Sequence, residues 1–186
     1  MTEAGRLFVI SGPSGSGKSS IITEVLDLAD IDFSISATTR LPRPGEVNGT
    51  HYNFVSRHDF EQMIEDGELL EWAEYNNHLY GTPAKPIAAA NEIGRDVLLD
   101  IEIKGARQVK DNRPDSIMVF ISPPSMEELE RRLRNRGDTS DEDIEDRLEI
   151  ASEQMAIAED LFDHIVVNDS FTKAVDEVLR LITDES

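Results

Sequence analysis

Residues 12–19 constrain the fold of this 186-residue chain most strongly, because they match the pattern G-x-x-x-x-G-K-[ST]. The pattern follows an apolar run at 6–11, typical of a buried strand, and opens a helical pattern over Lys18–Leu28. Glycines let backbone N–H groups turn inward around an anion, and a helix N-terminus adds partial positive charge. The sequence therefore predicts a phosphate-binding loop between a strand and a helix.

The sequence predicts that the loop and the serine that follows it bind ATP. The residues concerned are Gly12, Pro13, Ser14, Gly15, Ser16, Gly17, Lys18, Ser19 and Ser20. Lys18 supplies a full positive charge near the transferred phosphate, and the Ser19 hydroxyl is a predicted Mg²⁺ ligand. Asp100 ends the apolar run VLLD, so we expect it at the carboxyl edge of the sheet, associated with Mg²⁺ directly or through water. The alternative is that Asp100 only closes a strand.

The rest of the chain alternates apolar runs with helical patterns. Further strands are predicted at 97–101, 116–122 and 164–168, and further helices at 85–92, 106–110, 126–134, 141–159 and 172–182. Continuous apolar strands separated by helices predict a parallel sheet covered on both faces, which is a doubly wound α/β core.

Two segments break this alternation. Residues 34–80 contain alternating, strand-like patterns and one helical stretch at 58–64. Ser56 with Asp59 is typical of a helix cap, and Gly67 of a helix end. Residues 125–150 are helical and rich in Arg and acidic residues, which predicts two helices joined by a mobile turn around 136–138.

The composition of the chain limits its possible binding partners and indicates its cellular compartment. The 38 acidic and 18 basic residues leave a net charge of −20, which repels nucleic acid and membrane surfaces. That charge fits either a solubility surface or adaptation to a salty cytoplasm. The chain has no Cys, and its four His lack ligand spacing, so neither residue type indicates a metal site. Without a signal-peptide pattern or an apolar run of eighteen residues, a cytoplasmic protein is expected.

Seven stretches resemble the guanylate kinase family, in order and over nearly the whole chain. They are SGPSGSGKSS, SISATTRLPRPGEVNGTHYNFVS, LLEWAEYNNHLYGT, LLDIEIKGA, ISPPS, ERRLRNRG and IVVND. The resemblance implies one domain at 5–184 with three parts. These are a nucleotide-binding core with a five-stranded parallel sheet (1–33, 81–124 and 151–186), a small, mostly-β GMP-binding region (34–80) and a helical lid (125–150).

The resemblance also implies an activity, in which ATP with Mg²⁺ phosphorylates GMP and also dGMP. We expect the protein to be a monomer or a small homo-oligomer. It assigns GMP binding to Ser36, Arg40, Arg43, Tyr52, Glu71, Tyr80, Gly81, Thr82, Asp100 and Glu102. It assigns phosphoryl transfer to Lys18, Arg40, Arg43, Arg132, Arg136 and Arg147, and places Asn168 beside the adenine of ATP. Within this set Glu71 would accept hydrogen bonds from guanine, whereas adenine would present a lone pair to the same carboxylate. Ser36 and Thr82 would donate to guanine O6.

Several of these assignments have structural alternatives. Arginines in an acidic helix usually pair with acids one turn away, which applies to Arg132, Arg136 and Arg147. Arg40 and Arg43 lie in a Pro/Gly loop that offers no helical partner. Tyr52 and Tyr80 also suit a core or an interface, and the hydroxyls of Ser36 and Thr82 suit a strand and a turn.

Two positions depart from the family pattern, which often has Asp where Glu102 stands and Gln where Lys104 stands. Glu102 keeps the negative charge of Asp, but its side chain is one methylene longer. Two other functions are compatible with a phosphate-binding loop: a non-catalytic binding module, and a related kinase for another phosphorylated small molecule. The intact Lys18 and Ser19 argue against the first, and Glu71 with the two tyrosines argues against the second.

Overall fold

The computed structural model describes residues 4–135 and 140–183, which form nine strands and seven helices. The strands are β1 Leu7–Ser11, β2 Asp32–Phe33, β3 Ala37–Thr38, β4 Asn53–Phe54, β5 Leu69–Tyr75, β6 His78–Pro83, β7 Val97–Asp100, β8 Ile117–Ser122 and β9 His164–Val167. The helices are α1 Lys18–Leu28, α2 Arg57–Glu65, α3 Ala84–Glu92, α4 Ile103–Asn112, α5 Met126–Asn135, α6 Asp141–Leu161 and α7 Phe171–Thr183. Within these described residues, no helix has both the length and the apolar character that crossing a bilayer demands.

The larger sheet has five strands in the order β2-β7-β1-β8-β9. The four apolar runs predicted as strands form β1, β7, β8 and β9, and most of their residues are buried. The pairs β2–β7 and β8–β9 are parallel, which confirms the predicted α/β fold with a parallel sheet. The fifth strand, β2, has only two residues, of which Phe33 is exposed, so no apolar run marked it.

The smaller sheet lies within 34–83 and has the order β4-β3-β6-β5. It confirms the prediction of a small, mostly-β segment. Strands β5 and β6 form a hairpin whose two-residue turn, Asn76 and Asn77, has positive φ angles of 50° and 62°. Asparagine tolerates this backbone conformation, and such turns match the twist of antiparallel strands. The hairpin places Glu71 directly opposite Thr82.

The helix ends differ modestly from those expected. Ser56 caps α2 as predicted, because its Oγ accepts a hydrogen bond from the N–H of Asp59 at 3.1 Å. Helix α4 begins at Ile103, three residues before the predicted start, with Glu102 as its extended N-cap. Gly105 lies in its first turn, and because glycine weakens a helical pattern, sequence reasoning missed this turn.

The chain divides into two compact units. One comprises Met1–Phe8 and Ile31–Ser116, and the smaller sheet packs there on α2 through the buried side chains of Ala37, Phe60 and Leu79. The other comprises Val9–Asp30 and Ile117–Ser186. In the second unit α5 and α6 share the apolar residues Leu129, Leu133, Ile144 and Ala151, which agrees with two helices predicted in 125–150. The turn predicted around 136–138, with Arg136, lies outside the described residues.

Candidate functional site

The glycines of the loop 12–19 are required by its backbone. Gly15 and Gly17 have φ angles of 88° and 89°, in the left-handed region that favours glycine. A Cβ on Gly17 would also lie 2.3 Å from Nδ2 of Asn168, and a Cβ on Gly12 would lie 2.4 Å from the carbonyl oxygen of Ile121. Gly17 is the N-cap of α1, so the loop ends at a helix N-terminus, as an anion site requires.

Two side chains from later in the chain hold the carbonyl of Ser16 in this loop. Nδ2 of Asn168, a residue only 7% exposed, donates to that oxygen at 2.7 Å. Nη1 of Arg132 approaches the same oxygen at 3.4 Å, and its Nη2 donates to the carbonyl of Asn168 at 2.9 Å. Arg132 also donates to Glu128, one turn earlier on α5, at 2.8 Å. Arg132 therefore contacts both the loop and an acidic residue one turn away on its own helix, as expected for an arginine in an acidic helix. The Asn168 amide, by contrast, contacts the loop through the Ser16 carbonyl.

The loop offers hydroxyl groups of two kinds. Ser16 is fully buried, and its Oγ has no hydrogen-bond partner among the residues that the structure describes. Ser14, Ser19 and Ser20 are exposed, and Ser19 lies in the first turn of α1 beside Lys18. Within 4–135 and 140–183, no group of three or more His, Cys, Asp or Glu side chains is placed to hold a metal ion. A Mg²⁺ ion needs few protein ligands when phosphates and water supply the rest, so the exposed Ser19 hydroxyl suits it.

In the other unit, the loop that carries Arg40 and Arg43 is organised by Glu46. Arg40 donates to both carboxylate oxygens of Glu46, at 2.9 and 2.8 Å, and the N–H of Arg43 donates to Oε2 at 2.6 Å. The bonds from Arg40 and from the Arg43 backbone hold the pKa of Glu46 at about 2, and that carboxylate in turn raises the pKa of Arg40. Arg40 lacks a helical partner, as expected, but sequence reasoning missed its acidic partner six residues away.

Predicted ligands of the GMP phosphate lie around Arg40. Its guanidinium lies 5.4 Å from the ring centroid of Tyr52, whose ring meets that of Tyr80 edge-on at 6.1 Å. Burial raises the pKa of the Tyr52 hydroxyl, which keeps this group protonated as a hydrogen-bond donor. Next to them is a cleft of about 260 Å³, lined by Phe33, Ser34, Ser36, Glu46, Thr50, His51, Tyr52 and Asp100. The cleft thus brings together three predicted GMP ligands, namely Ser36, Tyr52 and Asp100.

Glu71 is a buried carboxylate with a defined setting, since its residue is 6% exposed. The Thr82 hydroxyl donates to Oε1 at 2.6 Å, and a Cβ on Gly105 would lie only 2.4 Å from Oε2. Burial raises the pKa of Glu71, although the side-chain and backbone hydrogen bonds from Thr82 oppose the shift. The Thr82 hydroxyl has one proton, which it donates to Glu71. Thr82 would have to rotate this hydroxyl in order to donate to guanine O6, and that contact stays a prediction.

The remaining predicted residues occupy varied positions. Tyr80 is half-buried and Gly81 is buried in β6, where a Cβ on Gly81 would lie 2.9 Å from the carbonyl oxygen of Glu71. Glu102 is exposed at the start of α4, and Arg147 is exposed on α6. Pro13 is buried within the loop 12–19.

A glycine-rich loop between a buried strand and a helix, in an α/β protein with a parallel five-stranded sheet, defines the class of P-loop proteins that bind nucleoside triphosphates. Comparison with known proteins specifies the family. The profile described as guanylate kinase matches residues 4–185. The chain therefore belongs to the guanylate kinase family.

Individual relatives agree with this assignment. The chain is 49% identical to a guanylate kinase of Rubrobacter xylanophilus, over 96% of this chain and 93% of the relative. It is also 49% identical to a guanylate kinase of Thermus thermophilus, over 97% of this chain and 82% of the relative. A crystal structure of guanylate kinase from Anaplasma phagocytophilum superimposes with a TM-score of 0.78 at 30% identity, over 97% of this chain and 86% of that chain.

Proposed function

We propose that this protein transfers the terminal phosphate of ATP to GMP, and also to dGMP, producing ADP and the guanine nucleoside diphosphate. The observation that carries the proposal is the buried carboxylate of Glu71, fixed by Thr82, in a chain whose loop 12–19 has the backbone of an anion site. The first feature selects a guanine base and the second binds the phosphates of ATP.

The chemistry asks for positive charge rather than for a general base. The phosphate of GMP is already largely ionised at neutral pH, because its second pKa is about 6. The difficulty is to bring two polyanions together in line, so cations must stabilise the equatorial oxygens of the transferred group. We assign this part to Lys18 and to the arginines at 40, 43, 132, 136 and 147. Arginine suits the task because its planar fork donates two parallel hydrogen bonds to one phosphate.

Base selection follows from the chemistry of Glu71. Guanine presents the N1–H and the exocyclic amine on one edge, and an ionised carboxylate accepts from both. Adenine presents the bare N1 acceptor at that edge, so its binding would leave a buried carboxylate facing a lone pair. Sites built from hydrogen bonds reject such mismatches by as much as roughly 10⁴-fold to 10⁵-fold. Ser36, Thr82 and Glu102 complete the proposed guanine site, and Asp100 contributes to GMP binding.

Magnesium fits the donors that the chain offers. Ser19 would ligate the ion and Asp100 would hold it directly or through water, while the nucleotide phosphates supply further oxygen ligands. When bound, the ion neutralises charge on the phosphates of ATP. Both protein donors are hard oxygen atoms, which Mg²⁺ prefers over nitrogen or sulfur.

The proposal divides the chain into three working parts. Residues 1–33, 81–124 and 151–186 are the nucleotide-binding core, 34–80 bind GMP, and 125–150 form a lid that excludes water during transfer. The net charge of −20 supports a protein that binds neither nucleic acid nor anionic membranes, and we propose a cytoplasmic location. It works as a monomer or as a small homo-oligomer.

A coupled assay with ATP and Mg²⁺ tests the function. GMP, dGMP, AMP, UMP and CMP are each supplied as the acceptor, and ADP formation is followed. We expect turnover with GMP and dGMP and a kcat/KM at least about 10³-fold lower with AMP, in line with hydrogen-bond selection. A Lys18→Met variant, prepared in parallel, identifies any contaminating kinase. Failure of the wild-type protein to make GDP would refute the proposal.

A further inference from the structure

Strand β5, which carries Glu71, is an edge strand of the smaller sheet, and within residues 4–135 and 140–183 its only strand partner is β6. Side chains of α4 bond the backbone groups on its other edge. Gln108 accepts from the N–H of Trp72 at 3.2 Å and donates to the carbonyl of Trp72 at 2.8 Å. Asn112, one turn further along α4, donates to the carbonyl of Leu70 at 2.9 Å. Two side-chain amides therefore hold β5 in place of a neighbouring strand, on either side of Glu71.

These contacts lie beside an irregularity in the pairing of β5 with β6. The register of the β5–β6 pair shifts between Leu69 and Glu71, so the ladder is irregular just before the carboxylate. Such an irregularity leaves backbone groups unpaired and bends the strand. The amide of Asn112 meets Leu70 inside the shift, and that of Gln108 meets Trp72 just beyond it. The register on which Glu71 depends is thus set from the helix as well as from the hairpin.

The same face of α4 also borders the Glu71 carboxylate. Gly105, Gln108 and Asn112 are three and four residues apart, so they share one side of the helix. The absent side chain of Gly105 leaves room for Glu71, where a Cβ would lie 2.4 Å from Oε2. Because a one-residue slip of a strand turns every side chain to the opposite face, loosening β5 would move this carboxylate out of its setting.

We propose that Gln108, supported by Asn112, is a positioning residue for guanine recognition. It acts through β5 and does not itself contact the nucleotide. It keeps Glu71 between the Thr82 hydroxyl and the first turn of α4, in the orientation that reads the N1–H and the amine of guanine. This inference rests on the proposed function, because Glu71 must be the group that recognises the base.

The test compares Gln108→Ala with the wild-type chain, using GMP and IMP as acceptors. IMP lacks the exocyclic amine, so the ratio of kcat/KM for GMP to that for IMP reports how well Glu71 is aimed. We expect the KM for GMP to rise about tenfold, as two net hydrogen bonds are lost, with kcat changed less than about twofold. The GMP-to-IMP ratio should fall by several-fold, while the KM for ATP stays within about twofold because the ATP loop is untouched.

Control variants separate positioning from general stability. Gln62→Ala removes an exposed glutamine from α2, in the same unit. Within the part of the chain that the structure describes, the side-chain amide of Gln62 donates to Asp66 alone. This variant should leave the KM for GMP and the GMP-to-IMP ratio unchanged. Asn112→Ala removes one bond to β5 and should raise the KM for GMP about threefold, which keeps the test open if Gln108→Ala folds poorly. Unchanged GMP kinetics in both α4 variants, Gln108→Ala and Asn112→Ala, or equal increases in the KM for GMP and for ATP, would overturn the inference.

The inference and the proposed function fail in different ways. A wild-type protein that does not phosphorylate GMP refutes the function directly. Hydrogen exchange of the Trp72 N–H, measured without nucleotide, then reports on the contact alone and should be faster in Gln108→Ala than in Gln62→Ala. Equal exchange in the two variants would show that Gln108 does not hold β5.

Discussion

Replacing Gly105 with alanine should damage guanine recognition while leaving the fold intact. The new Cβ would lie 2.4 Å from Oε2 and 2.9 Å from Cδ of Glu71, whereas carbon atoms normally meet at about 3.5–4.0 Å. The Glu71 carboxylate must therefore move by about 1 Å. The moving group is the end of a flexible side chain rather than backbone, so its displacement costs the fold little.

The two expected effects have opposite signs. In a helix, alanine is favoured over glycine by about 1 kcal/mol, which offsets the steric cost to stability. A misplaced carboxylate loses charge-assisted hydrogen bonds to guanine worth about 1.5–3 kcal/mol. Since each 1.4 kcal/mol is about a factor of ten, kcat/KM for GMP should fall roughly 10-fold to 150-fold. The free energy of unfolding should change by less than about 1 kcal/mol.

Steady-state kinetics and thermal unfolding of Gly105→Ala measure both quantities. A double-mutant cycle with Glu71→Gln shows whether the alanine acts through the carboxylate, and we expect a coupling free energy above about 1 kcal/mol. The KM for ATP serves as the internal control and should not change. A kcat/KM for GMP within twofold of wild type, or strictly additive effects in the cycle, would refute this reasoning.

Three further outcomes are expected. Because burial raises the pKa of Glu71, its carboxylate gains a proton at a higher pH than an exposed glutamate does. The KM for GMP should therefore rise as pH falls below that pKa, and the Glu71→Gln variant should lack this pH dependence. Asn168→Ala removes the hydrogen bond to Ser16 and should raise the KM for ATP about fivefold without changing that for GMP, and a parallel change in both would contradict it. If the net charge of −20 reflects adaptation to salt, the melting temperature should rise with salt concentration, and a flat response would leave solubility as its purpose.

Local patterns in the sequence predicted most of the fold. The loop 12–19, the apolar strands β1, β7, β8 and β9, and the cap of α2 at Ser56 each depend on residues close together in the chain. Strand β2 and the first turn of α4 were missed, because a two-residue strand and a helical glycine lack a periodic signal. Tertiary packing decides both features.

The residues that organise the candidate site were harder to predict than those proposed to bind ligand. Glu46 lies within the loop of Arg40, so the spacing of opposite charges was an available signal. The contact of Gln108 with Trp72 joins residues 36 positions apart, and nothing local distinguishes this glutamine from a solvated one. The contact between Asn168 and Ser16 spans 152 positions. Such pairs become visible only when helices and strands are packed.

The hydrogen bond from Asn168 to the Ser16 carbonyl affects the stage of synthesis at which the loop 12–19 can reach its final conformation. In a planar trans peptide the carbonyl of one residue and the N–H of the next point in opposite directions. Fixing the Ser16 oxygen therefore also aims the Gly17 N–H away from Asn168. During synthesis the glycine-rich segment leaves the ribosome early, but the amide that orients it follows only after β9. A nascent or truncated chain that stops before β9 thus contains the whole motif and Arg132, but it lacks the Asn168 amide, which makes the shorter of the two contacts with the Ser16 oxygen.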